Sequence, residues 1–584
     1  MWEGAAVAVT HLADAVADLP DGALVAVALC PGVGAALASS AHGVAVELGP
    51  DEWVGGVQAL EASRRPRWVM WSSATAVPLV RAGVRVARSW DLAAVHRLLH
   101  GGWPADPATV WAAAHGLEPT TVPTWREPDL FDAVAEDRDR LVRGDGHLDP
   151  GWVRDGWSAS VGHLRRWAEA AAAIAGGQQA QLDDLAVDRP RIVATARSES
   201  TAELLCAELS VDGLPLDVEV AEALIAGFVG PRPRSETDAA ARRAERDDRV
   251  LRHAPAGMRF DLRSPGQVRS LLRSVGIEVP DTRAWRLESL RDAHPVVVEL
   301  LAWRKAERVA TTYGYGWLDE HVSADGRLRG EWSGSDGAAG RMTASAGLHN
   351  LPADLRGAVA AEPGHVFVRA DLGQVEPRVL AAVSGDVALA RAAEADDLYA
   401  PVAVELGVER ATAKVAVLGA MYGQTTGHGA LALRGLHASY PVAMAYLDAA
   451  DRAAAAGTDL RTAGGRLVRM GGADPGEAGE EGREARSRAA ARGRYGRNAM
   501  VQGAAAELFK VWALTVRVRV APLGARIVLC LHDELLVHAP ERHGTEVARL
   551  VDDALAEAAR RWAPHPVRFL ADTSVIARWS DAKA

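Results

Sequence analysis

"LCLHDELLVH", residues 529–538, sets two adjacent acids, Asp533 and Glu534, between two apolar runs. The runs read as the arms of a buried β-hairpin with the acids at its tip. Ionised carboxylates are costly to bury unless something neutralises them. Another acid, Asp371, ends the apolar run HVFVRAD, residues 365–371, and reads as the end of a strand. Carboxylates at strand ends far apart in sequence can meet on neighbouring strands of one sheet. Magnesium would then be the missing partner, because it takes oxygen ligands and needs only one or two carboxylates beside substrate phosphates. A pair of such ions stabilises both the attacking and the leaving oxygen of an in-line phosphoryl displacement. Taken alone, the His-Asp-Glu triplet is equally an ordinary polar hairpin tip, since acids are common in turns.

The company it keeps changes that balance. In ERATAKVAVLGAMYG, residues 409–423, Arg410 and Lys414 are one helical step apart and Tyr422 follows on nearly the same face. Four residues advance a helix by about 400°, so the set drifts slowly along one side. Such a face offers two cations for a triphosphate and a ring to lie near a base. Arginine brings a planar fork and lysine a compact charge, both suited to phosphate. By itself this helix reads equally as a solvated basic face with a core tyrosine.

The bulk composition bounds the rest. A chain of 584 residues is too long for one core and predicts two to four domains. Its formal net charge of -11 argues against nucleic acid only on average, because a basic groove can sit on an acidic exterior. Cys30, Cys206 and Cys530 are widely spaced, which excludes a cysteine-based zinc site or disulfide framework and suits a reducing cytoplasm. The first twenty residues lack a basic start and are interrupted by acids, so neither a signal peptide nor a membrane span is expected.

Along the chain, residues 1 to about 190 alternate apolar runs such as GALVAVALC and PRWVM with amphipathic stretches such as WDLAAVHRLL, which predicts an α/β domain. Residues 195–320 read as helices; among them DLRSPGQVRSLL carries Ser264 before Pro265, a cap and first turn. From 321 onward strands and helices mix. The stretch GHVFVRADLGQVEPRVL reads as strand, turn, helix, and ADPGEAGEEGREA, residues 473–485, as an acidic loop. Six arginines between Arg483 and Arg497 form a local basic tract whose contacts with a nucleic acid backbone would weaken with salt.

Together these stretches resemble the family A DNA polymerases, the polymerase I type. DLGQVEPR resembles that family's motif A, D-Y-S-Q-I-E-L-R; RATAKVAVLGAMYG its motif B, R-x-x-x-K-x-x-x-F-G-x-x-Y-G; and LHDELLV its motif C, V-H-D-E, in the same order. GRMTASAGLHNLP, RNAMVQGAAAELFK and FDLRSPGQVRSLL resemble three further family segments. The resemblance covers about residues 195–584 and implies a right-hand polymerase: a helical thumb at 195–320, then palm and fingers at 321–584. Residues 1–190 resemble its ribonuclease H-like 3′–5′ exonuclease domain.

The resemblance assigns roles. Asp371 and Asp533 would hold two Mg²⁺ ions, with Glu534 supporting them. Arg410 and Lys414 would grip the phosphates of an incoming deoxynucleoside triphosphate, and Lys414 would protonate the leaving pyrophosphate. Tyr422 would sit by the templating base. Glu376, beside Gln374, would fill the space of a ribose 2′-hydroxyl. His532, Arg341, Arg494, Asn498 and Gln502 would touch primer, template or nucleotide. The implied activity is DNA-templated DNA synthesis in replication or repair, by a monomer on primer–template DNA, off the membrane, in a bacterial cytoplasm at the nucleoid.

Departures from the family pattern are specific. Leu418 takes the aromatic position of motif B and cannot stack as a ring does. Leu372 and Gly373 replace Tyr and Ser of motif A, and Pro377 replaces Leu, in a first helical turn where proline is tolerated. The exonuclease's D-x-E has no counterpart in LVAVALCPGVG; Asp91 alone survives in WDLAAVHRLL, and one carboxylate does not hold two ions. Proofreading chemistry is therefore expected to be lost, and no segment matches the family's 5′ nuclease. The alternatives are a polymerase with working proofreading and a catalytically silent DNA-binding protein.

Overall fold

The structure is a computed structural model. It describes residues 12–127, 140–185, 188–337, 339–423, 429–471 and 483–582. Most of the acidic stretch read as a loop at 473–485, and part of the polar segment 124–146, fall outside them. The chain divides into two units. The larger comprises residues 1–212, 331–343 and 364–575, and the smaller 213–330, 344–363 and 576–584.

The larger unit holds two principal sheets, with two small two-stranded ones beside them. The first has five strands: Val44–Leu48, Gly34–Ser39, Leu24–Cys30, Arg67–Met70 and Arg88–Asp91, in that spatial order. The first three form an antiparallel meander and the last two run parallel to Leu24–Cys30. Period-two alternation sorts Leu24–Cys30 onto two cores. Val25, Val27 and Leu29 pack with Trp68 and Leu37, while Ala26 and Ala28 face the helix Val161–Asp184. That helix presents Ala168, Ala171, Ala172 and Ala175, so small residues on both sides let helix and sheet approach closely.

The second sheet orders Arg526–Cys530, Glu534–Pro540, His365–Leu372 and Ala571–Ile576. The hairpin read from LCLHDELLVH is present: Cys530 pairs with Leu535, and Leu531 N donates to Glu534 O at 2.8 Å. Its second arm pairs antiparallel with His365–Leu372 in a register that sets Asp371 opposite Glu534.

The helix Arg189–Asp212 ties the two halves of this unit together. Its buried Glu199 takes Lys510 Nζ at 2.7 Å and pairs with Arg466. Glu208 receives Arg517, which also donates to the carbonyls of Val86 and Ala87 at 2.7 and 3.2 Å. Arg461 and Arg469 donate to the carbonyls of Leu99 and His100. This corrects the expected boundary at 195. Residues 195–212 bury against the larger unit because the helix is covered on all sides there, and its Glu199, Glu203 and Glu208 find their partners Lys510, Arg97 and Arg517 in that unit.

The smaller unit is mainly helical. Val218–Val229, Glu236–Leu251, Pro265–Ser274 and Pro295–Thr312 are its long helices. Val250, Leu271, Leu272, Val296 and Leu300 are fully buried at its core. Ser264 caps Pro265–Ser274 by accepting from Gln267 N, as the sequence predicts.

Candidate active site

Asp371 closes the strand His365–Leu372, and Leu372 N donates to Asp533 O at 2.7 Å. The two aspartates thus lie at adjacent strand ends. Side chains two residues apart on a strand share a face, so Arg369 lies on the face of Asp371. Its Nη2 is 2.5 Å from Asp371 Oδ2 and its Nε 2.7 Å from Glu534 Oε1. Burial alone would loosen the guanidinium's proton, but Glu534 and Asp371 hold it more firmly than usual. Glu534, expected at the hairpin tip, is the first residue of the second arm and is buried. Asp533 lies in the turn of the hairpin, where desolvation, then Glu534 and Glu376, raise its pKa above the ordinary carboxylate range.

A tight turn follows Asp371. Gln374 adopts the left-handed conformation, φ 54°, and launches the helix Val375–Ser384. Pro377 falls in its first turn. Glu376 there joins two further candidates: it accepts from Tyr422 Oη at 2.7 Å and from Arg341 Nη2 at 3.2 Å. Desolvation and the bond to Glu376 push the Tyr422 phenol up to about 12. Gln502 also hydrogen-bonds Tyr422. Desolvation, then the charge of Arg341, lowers the pKa of His532, so its imidazole stays neutral at pH 7.

Arg410 and Lys414 open the helix Arg410–Tyr422 and are both exposed. Arg410 pairs with Asp397, which also accepts from Gln374 Nε2 at 3.1 Å. Lys414 makes no ion pair among the described residues. Leu418, half-buried, continues that face. The helix stops at Gly423, φ 68°, where a Cβ would stand 2.7 Å from Arg494 Cγ. Arg494, Asn498 and Gln502 share one face of the helix Arg483–Val520 at four-residue steps. Asn498 Oδ1 is buried with no hydrogen-bond partner among the described residues.

The basic tract divides. Arg497 is buried, donates to Ala420 O at 3.0 Å and pairs with Asp448, so it braces the end of the Arg410–Tyr422 helix. Three functional side chains escaped the sequence reading: Arg369, Asp397 and Arg497. Arg369 was findable from its position two residues before Asp371 on a strand. Asp397 carries no motif.

The family model for DNA polymerase family A matches residues 234–581. The chain belongs to DNA polymerase family A. It is 31% identical over 321 residues to DNA polymerase I of Chloroflexus aurantiacus, covering 50% of this chain and 33% of that protein. It is 30% identical over 395 residues to a thermostable DNA polymerase I of Thermus thermophilus, covering 61% and 45%. It is 25% identical over 362 residues to DNA polymerase theta of Caenorhabditis elegans, covering 56% and 21%. These matches span less than half the length of each of those relatives. The POL domain of Pol1 from M. smegmatis, solved in complex with DNA primer-template and dNTP, has the same fold: TM-score 0.69, 22% identity, over 98% of this chain and 99% of that one. No helix among the described residues of this family A chain is long and apolar enough to cross a membrane.

In the N-terminal sheet, the strand Leu24–Cys30 bears no acid. Asp91 caps the helix Leu92–His100 by accepting from Ala94 N at 2.8 Å. Burial, then Glu203, raises its pKa well above normal.

Proposed function

We propose that this chain is a DNA-templated DNA polymerase that extends a primer 3′-hydroxyl with deoxynucleotides. The observation that carries the reading is the backbone bond from Leu372 to Asp533, which brings two sequence-distant aspartates to one edge beside the Arg410–Tyr422 helix. Asp371, Asp533 and Glu534 do not form a closed cage of three ligands among the described residues. An open pair of aspartates suits magnesium, which keeps waters and takes substrate phosphates as further ligands. Crowding of Asp533 by Glu534 and Glu376 also favours a cation there. Asp371 and Asp533 would hold it, and bound magnesium would lower the charge cost of attacking and leaving oxygens.

The remaining work is positioning and charge placement, which carry phosphoryl transfer. Arg410 and Lys414 would take the triphosphate, after Arg410 leaves Asp397. Lys414 would pass a proton to the departing pyrophosphate. Glu376, anchored by Arg341 and Tyr422, would stand where a 2′-hydroxyl needs space. Arg494, Asn498 and Gln502 would line the template path with His532 and Arg341 near the primer terminus. Leu418 would offer the nucleotide an aliphatic contact in place of a ring. In this reading residues 213–330 act as thumb, the second sheet as palm, and the first sheet as an exonuclease-like domain without its chemistry. The protein would work as a monomer on DNA in the cytoplasm.

The test is one gel. Protein, magnesium and a labelled primer–template with a 3′ mismatch are mixed with and without deoxynucleotides. Extension without shortening supports the reading. Shortening abolished by Asp91→Ala would favour working proofreading. Bound DNA with neither would favour a silent binding protein.

A further inference from the structure

A cavity of about 660 Å³ lies away from the candidate active site and shares no residue with it. Its walls are the first turns of Arg189–Asp212, the last turns of Arg483–Val520, the end of Gly544–Trp562, and the starts of the strands Arg67–Met70 and Arg88–Asp91. Six arginines line it: Arg67, Arg88, Arg191, Arg197, Arg519 and Arg561. Only two acids do, Asp188 and Glu557, in a chain whose net charge is -11.

The pairing leaves positive charge over. Arg191 takes Asp188, and Arg519 and Arg561 share Glu557. Among the described residues, Arg67 and Arg88 donate only to the carbonyls of Ser89 and Arg65. Arg197 is exposed, and its guanidinium has neither hydrogen bond nor ion pair among the described residues. Burial first, and then the neighbouring Arg197 and Arg88, pull the Arg67 pKa down to about 10. The start of Arg189–Asp212 adds the positive end of a helix dipole.

The long helix adds an apolar ridge beside Arg519. Val511, Leu514 and Val518 follow one another along a single face of the long helix, and Val518 is 59% exposed. Trp562 lies beside them with its indole N–H buried and unpaired among the described residues. A half-open pocket of this size, lined by arginines and by one apolar ridge, suits one amphiphilic anion. We propose that this cavity binds a free nucleoside di- or triphosphate, its phosphates on Arg67, Arg88 and Arg197 and its base against Val511, Leu514 and Val518.

Binding of ATP, inorganic tripolyphosphate and a short single-stranded oligonucleotide would be measured by calorimetry in EDTA. The full chain would carry Arg410→Ala and Lys414→Ala, so that the polymerase-type nucleotide contacts are absent. The expected result is one equivalent of ATP bound, at least tenfold tighter than tripolyphosphate. Arg197→Glu should weaken it at least tenfold while Arg197→Lys keeps it. Arg561→Glu, on the far wall, gives a second exposed variant, and an unchanged melting temperature certifies each fold. ATP binding that ignores both charge reversals overturns the proposal. So does tripolyphosphate binding as tightly as ATP, which would make the site one for inorganic polyphosphate. Oligonucleotide binding without ATP binding overturns it in favour of a DNA strand.

Discussion

The guanidinium of Arg369 lies between the carboxylates of Asp371 and Glu534, 2.5 Å from one and 2.7 Å from the other. It is a fixed cation built into the acidic edge. Arg369→Leu removes it and leaves the two acids facing each other. Allowing for the partial exposure of Asp371, the loss should be about 2–3 kcal/mol of unfolding free energy in EDTA. Magnesium should recover part of it, because a bound ion supplies the missing charge. Urea titrations with and without magnesium check this; an equal deficit in both would count against a metal at these carboxylates.

Asp533→Asn should reduce primer extension by about a thousandfold, equivalent to roughly 4 kcal/mol of barrier. Primer–template affinity should stay nearly unchanged, since the residue holds charge at the reacting phosphate and not the duplex. Single-turnover extension and a filter-binding titration separate the two. Wild-type extension by this variant would end the two-metal reading.

Asp397 pairs with Arg410, and in the proposed reading that pair opens before Arg410 takes a phosphate. Asp397→Asn weakens that hold while keeping a partner for Gln374. KM for deoxynucleotides should fall about two- to fivefold, the scale of one exposed ion pair. A higher KM would mean instead that Asp397 orients Arg410 for phosphate.

Glu376 meets Tyr422 and Arg341, and its removal opens space next to Gln374. Glu376→Ala should raise the ribonucleotide-to-deoxynucleotide ratio of kcat/KM by about a hundredfold, close to 3 kcal/mol of lost discrimination. Competition between ATP and dATP opposite template thymine reads it directly.

His96 predicts an acid limb of stability. It is buried, and desolvation, then His100 and Arg97, lower its pKa from 6.5 to about 4. Between those values the unfolded chain binds a proton that the folded chain refuses, so stability falls as pH drops from 6.5 towards 4. The loss is on the order of 3 kcal/mol at the acid end. His96→Gln should flatten that limb in urea midpoints measured across the window.

The sequence displayed the parts that periodicity and local chemistry determine. Alternation in HVFVRAD and LCLHDELLVH identified the paired strands, and helical spacing identified the face of Arg410, Lys414 and Tyr422. Contacts between distant segments were not legible. Arg369 reads as one charge in an apolar strand until Glu534 is placed opposite. Arg497 reads as part of a basic tract, yet Ala420 and Asp448 draw it inward. Residues 195–212 read as helical, but a helical reading does not say which body the segment buries into. Glu199 meeting Lys510 decides that.

The ties that run from Glu199 and Glu208 to Lys510 and Arg517, and from Arg461 and Arg469 back to Leu99 and His100, have an evolutionary consequence. A change that loosens the N-terminal sheet is transmitted to the helix that carries Arg494, Asn498 and Gln502. Selection acting on synthesis therefore reaches the first hundred residues even where they perform no reaction. Whatever reaction that domain performs, it serves as a foundation, and an amino-terminal truncation near residue 190 should yield an insoluble fragment where a smaller enzyme was sought.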